Sequence, residues 1–202
     1  MLTSLPPGLT RLGAALPPGV HEEARALARC AAHVPAGAVL LQGSDDLGPL
    51  TPGEHVSLRV LGSYAAVRVP TGDPAVLAAA LRTARLRAPT GARQDVLVLR
   101  AAPSVHAGRV AAGPPDRVRA VEGEAHELDG EVEVEVRELL LLRLGRLERA
   151  HRGADEWRTP LPPWGMRLSR LVRDVLRWVP AGELTWADDG HTCWLLGVRS
   201  PV

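Results

Sequence analysis

Five residues sit where a strand would meet a turn or another strand: Gly43, Ser44, His55, Ser57 and Asp95. Gly43 and Ser44 directly follow the apolar stretch AVLLQ (38–42). Glycine has no Cβ, so the backbone N–H groups of such a turn can come close to a phosphate. His55 and Ser57 are two apart in an alternating segment, and residues so spaced project from one face of a strand. Asp95 opens the apolar run DVLVLR, and a residue at the start of a neighbouring strand can meet that pair. Three carboxylates placed in this way could hold two magnesium ions over a nucleoside triphosphate and support in-line transfer.

The elements that would position them can be read from pattern and punctuation. Val20–His33 predicts a helix, with Ala24, Leu27, Ala28 and Ala31 at helical spacing, stopped by Pro35 and Gly37. Ala38–Gln42 is a short buried strand, and GSDDLGPLTPG is a loop by composition. His55–Leu61 and Tyr64–Val69 predict strands joined by Gly62-Ser63, a two-residue connection of the type II′ kind. Asp73 followed by Pro74 is a strong helix start, and Val76, Leu77, Ala80, Leu81 and Ala84 give that helix an apolar face. Pro89, Thr90 and Gly91 end it before the strand Asp95–Arg100. Further on, Arg117–Leu128 and Glu131–Val136 predict a hairpin across Asp129-Gly130, with Glu131, Glu133 and Glu135 on its outer face. Leu139–Arg152 reads as a helix weakened by Gly145.

This order resembles the nucleotidyltransferase fold of the polymerase-beta type, and most closely the minimal nucleotidyltransferase family. That family shows an apolar strand, Gly-Ser, a loop with a second glycine, Asp-apolar-Asp on a strand, and a third Asp before a later apolar strand. On this chain Gly43 and Ser44 take the Gly-Ser positions, Gly48 the loop glycine, and Pro52 a place where proline is common. His55 and Ser57 fall where the two metal-binding aspartates belong, with Val56 and Leu58 in the apolar positions, and Asp95 falls on the third carboxylate. AAPSVHAGRVAAG (101–113) also looks like the segment after that strand. The resemblance covers about residues 20–125. It implies an α/β (α+β) fold with a mixed sheet and flanking helices.

The departures carry the functional expectation. Magnesium needs hard, anionic oxygen ligands. His55 offers nitrogen and Ser57 a neutral hydroxyl, so only Asp95 keeps its charge. Asp45 and Asp46, beside the turn, would repel a triphosphate. The resemblance therefore implies a catalytically impaired, pseudo-nucleotidyltransferase with a vestigial site at Gly43, Ser44, His55, Ser57 and Asp95. No catalytic residue, metal or cofactor is expected.

Composition sets the outer limits. The chain has 202 residues, 46% hydrophobic and 23% charged, with a formal net charge of +1, which excludes a protein whose whole body is a polycation on nucleic acid. All 24 basic residues are arginine, and Lys, Phe, Ile and Asn are absent, as coding from a GC-rich, bacterial genome would give. Cys30 and Cys193 make neither a disulfide framework nor a zinc site. The N-terminus lacks the charged start and unbroken apolar run of a signal peptide, and the longest leucine run, Leu139–Leu142, is far too short to span a bilayer, so a cytoplasmic chain is expected without membrane contact. Three regions follow: a Pro/Gly-rich arm (1–19), the nucleotidyltransferase-like domain (20–152), and a Trp-rich appendage (153–202) docked on that domain or on a partner. The appendage holds all five tryptophans, the amphipathic helix Met166–Val179 and a hairpin across Asp188-Asp189-Gly190.

Weaker signals stand beside plainer readings. His55 with Asp95 could be an acid–base pair or a lone metal site, though such a histidine is more often a polar residue with one hydrogen bond. Arg146 and His151 superficially match an Arg-x4–6-His ribonuclease motif that needs a long helical bundle; an exposed charged helix end is the simpler account. His191 and Cys193 share a strand face, but a dyad needs an orienting group and an oxyanion site. Arg167, Arg170, Arg173 and Arg177 could grip phosphates or a partner, or be a solvated face. Three functions follow. The first is a non-catalytic protein that binds another protein or itself, with a regulatory role as an extension of family habit. The second is a nucleic-acid-binding protein using helix 166–179. The third is an active enzyme with a site rebuilt around His55, Asp95 and Glu54.

Overall fold

The computed structural model describes residues 6–48, 50, 53–89, 93–101, 104–111, 116–123, 135–139, 162–180 and 182–200. The chain is an α+β protein built on two antiparallel sheets. The first, in the order β1-β2-β5-β3-β4, contains Leu9–Arg11 (β1), Gly37–Leu40 (β2), His55–Val60 (β3), Ala66–Pro70 (β4) and Val96–Arg100 (β5). The second, in the order β10-β9-β6-β7-β8, contains His106–Ala111 (β6), Asp116–Glu122 (β7), Glu135–Leu139 (β8), Glu183–Asp188 (β9) and Cys193–Arg199 (β10). Helices Glu22–Arg29 (α1), Pro74–Leu86 (α2) and Gly165–Leu176 (α3) cover them. Every ladder among the described residues is antiparallel, where the sequence suggested a mixed sheet.

Alternation assigns the two faces of the first sheet. Val56, Leu58, Val60, Val69, Val96 and Val98 form one core with Leu77, Ala80, Leu81 and Ala84 of α2. That helix starts as its sequence dictates: Asp73 accepts the Ala75 N–H at 2.8 Å, and Pro74 needs no partner at the first position. Leu97 and Leu99, on the other face, join a larger core with α1, α3 and the second sheet. The tryptophan cluster is smaller than expected. Trp164 and Trp186 pack at 5.0 Å, Trp194 donates to Asp189, and Trp178 is exposed. Trp157 lies outside the described residues.

Two buried ion pairs lock the layers together. Glu23, at the start of α1, accepts from Arg59 of β3 (2.7 Å) and from the backbone N–H groups of Gly62 and Val198. Burial pushes its carboxyl up, but the Arg59 charge and these hydrogen bonds outweigh that and leave it below the ordinary carboxylate range. Arg59 also donates to the Leu196 carbonyl of β10, so one guanidinium bridges helix and both sheets. The second pair is Arg167–Asp188, bidentate at 2.6 and 2.7 Å, which ties α3 to the end of β9.

Several boundaries move. The β3–β4 connection is longer than two residues: Arg59 pairs with Ala66, and Ser63 N–H closes a turn on the Val60 carbonyl. Gly62, with φ +80°, stands third in that turn, the type II position that favours glycine. β1 lies inside the supposed arm, and β6 falls in a stretch (101–113) to which the sequence pattern assigns no element. Leu139 ends a strand instead of opening a helix, since β8 pairs with β7 from Asp116↔Leu139 to Ala120↔Glu135. The Asp129-Gly130 turn, Glu131, Glu133, Arg146 and His151 lie outside the described residues. The strands of the 153–202 segment enter a sheet directly, β9 pairing with β6 across six residues.

Candidate functional site

The antiparallel pairing of β3 and β5 decides where the five proposed site residues go. Val56 faces Arg100 and Val60 faces Val96, so Asp95 lies beside Leu61 and His55 beside Ala101. At about 3.3 Å per residue the two sit about 20 Å apart along the ladder. The start of one strand could meet the start of the other only in a parallel pair. The structure therefore brings Gly43, Ser44 and Asp95 to one end of the sheet and leaves His55 and Ser57 at the other.

At the first end Asp95 is fully buried and engaged. Its carboxylate accepts from Gln42 N–H (2.9 Å), His21 N–H (3.3 Å) and Arg93 Nε (2.6 Å). It thereby joins the end of β2, the residue that caps α1, and the approach to β5. The Gly43-Ser44 turn is likewise occupied by the fold. Ser44 N–H donates to the Leu41 carbonyl, its hydroxyl to the Pro7 carbonyl at 3.0 Å, and its own carbonyl accepts from Arg85 of α2 at 2.7 Å. Arg85 also holds Asp45. Ser44 is thus tied to the segment before β1 and to α2 as a structural corner.

At the other end His55 is exposed, and Ser57 points from the same strand face into a cleft between the sheets. The cleft has a volume of about 90 Å³. Arg59, Ala66, Arg68, Leu97 and Leu99 form one wall. Arg109, Thr185, Ala187 and Leu196 form the other. Tyr64 closes its end, its ring held between the guanidiniums of Arg109 (3.7 Å) and Arg199 (3.3 Å) and its hydroxyl bonded to Glu183. Burial and that hydrogen bond push the phenol up, so it stays neutral. Of these residues only Ser57 is singled out by local pattern, because the walls come from six strands far apart in the chain.

The arginine face of α3 is divided. Arg167 is consumed by Asp188, and Arg177 lies 3.6 Å from Asp174. Arg170 and Arg173 are exposed, as are Met166 and Trp178 toward the two ends of the helix, these last two each 65% exposed. His191 and Cys193 form no dyad. His191 is exposed in the β9–β10 turn, donating its N–H to Asp189, while Cys193 is buried and its thiol pushed up by burial and by Asp188. Among the described residues no group of His, Cys, Asp and Glu could hold a metal, and no helix is long and apolar enough to cross a membrane. The sequence matches no protein-family model and no curated protein.

Proposed function

We propose that this protein works by binding another protein surface, a second copy of itself included, and not by nucleotide transfer. The observation that carries this is Trp178. It is a large apolar ring left two-thirds exposed just past the end of α3, adjoining Arg177, on a helix that also exposes Arg170 and Arg173. Tryptophan and arginine together are the composition favoured at interface centres. In this reading the likeness to minimal nucleotidyltransferases is one of chain order, and the proposed regulatory role rests on it. The positions that would match its metal ligands do not converge, which removes the geometric ground for that kinship and for any transfer chemistry inherited from it. The bidentate pairing of Arg167 with buried Asp188 weighs against phosphate gripping by that residue, because its charge is already answered.

Sedimentation of the purified chain over a range of concentrations tests self-binding. Association abolished by Trp178→Ala is the expected result, and a wild-type chain that stays monomeric throughout would remove self-binding. A titration with duplex DNA and RNA separates the alternative: tight binding that falls steeply with salt and is lost on Arg170/Arg173/Arg177 charge reversal would favour nucleic acid. Nucleotide transfer with Mg²⁺ or Mn²⁺, abolished by Asp95→Ala in a folded variant, would overturn the non-catalytic reading.

A further inference from the structure

The faces of two packed sheets ordinarily fill the space between them with large apolar side chains. Where β3 and β4 face β6 and β9 this is not done. Ser57 and Ala66 stand opposite Thr185 and Ala187, residues too small to meet. The gap is bounded by the guanidinium-bearing Arg59, Arg68, Arg100 and Arg109, and no carboxylate is among the described residues lining it. Leu97, Leu99 and Leu196 supply an apolar floor.

Two of these arginines, Arg59 and Arg109, are held in place on the cleft wall. Arg59 is fixed by Glu23, the Ser63 carbonyl and the Leu196 carbonyl. Arg109 lies flat on the Tyr64 ring, and Arg100 touches Glu54 at 3.2 Å. A guanidinium carries five N–H donors; Arg59 spends both terminal nitrogens on four contacts and serves as a wall, whereas Arg100, met by one carboxylate, keeps donors to direct elsewhere. Fixed donors bind an oxyanion without first losing side-chain entropy.

We propose that this cleft is a binding site for a small organic anion: a carboxylate or phosphate head received by the arginines and the Ser57 and Thr185 hydroxyls, with a short apolar body against Leu97, Leu99 and Leu196. The site is independent of the α3 surface.

The test is an NMR titration of the isotope-labelled chain with butyrate, ethyl phosphate, inorganic phosphate and 1-butanol. One of the two organic anions should saturate below about 10 mM and shift the Ser57 and Thr185 amides. Butanol and inorganic phosphate should each bind about tenfold more weakly. The better anion identifies the head group. Arg68→Gln and Arg100→Gln should weaken binding at least about fivefold, and Arg173→Gln on α3 should not. Should either arginine variant fail to fold, Ser57→Leu, which fills the gap, should abolish the shifts. The proposal is overturned by no saturable binding of either organic anion, by butanol or inorganic phosphate binding equally well, or by binding that survives both arginine substitutions or the filled cleft.

Discussion

Asp95 and Asp188 are both fully buried carboxylates at strand ends, and each accepts from an arginine Nε at 2.6 Å. They differ in what they join. Asp95 collects backbone N–H groups from two distant segments, at His21 and Gln42, while its arginine is a near neighbour in sequence. Asp188 draws its main contact from a distant arginine on α3 and adds one local N–H from Gly190. One carboxylate replaces backbone pairing where three segments meet; the other pins a helix by its side chain. Neither lines the cleft between the sheets. An isolated aspartate beside an apolar strand is therefore as readily a staple as a metal ligand.

Substitutions can break this contrast. Asp95→Ala strands two buried N–H groups and an arginine, and should cost about 3–5 kcal/mol in urea unfolding; a loss below about 1 kcal/mol would deny it the stapling role. Asp188→Ala should cost less, about 2–3 kcal/mol by the same measurement, because it strands one local N–H where Asp95 holds two from distant segments. Arg93→Gln should cost about 1 kcal/mol or less, since its side chain is 41% exposed and the backbone donors to Asp95 remain. His55→Ala should change the unfolding midpoint by less than about 0.5 kcal/mol, and a larger effect would return His55 to the candidate site.

Local signals in the sequence were strong for α2 and α3. Asp73-Pro74 fixed the start of one, and the spacing of Leu168, Leu171, Val172 and Val175 marked the buried face of the other. β1 and β6 were hidden for different reasons. β1 has only three residues, too few to show alternation. β6 spends a core position on Gly108, where a Cβ would lie 2.2 Å from the Arg119 carbonyl and 2.7 Å from the Trp186 ring. The pattern gives no strand signal there because the tryptophan opposite supplies the bulk. Strand direction was the decisive gap. Period-two patterning is the same in parallel and antiparallel pairs, so the sequence could place His55, Ser57 and Asp95 on strands without saying which ends meet. The cleft was illegible for a related reason: its walls are assembled by pairings that no local window contains.

The Glu23 carboxylate receives the Val198 N–H across 175 positions of chain. During synthesis, α1 leaves the ribosome long before β10 exists to complete that bond. Until then a charged group meant for the interior lacks part of its shell, and β6 lacks the β9 edge it needs. Folding of the second sheet must therefore wait for the last of these strands. Nascent chains stalled before Cys193 should remain open to protease, whereas those stalled beyond Arg199 and clear of the exit tunnel should resist it.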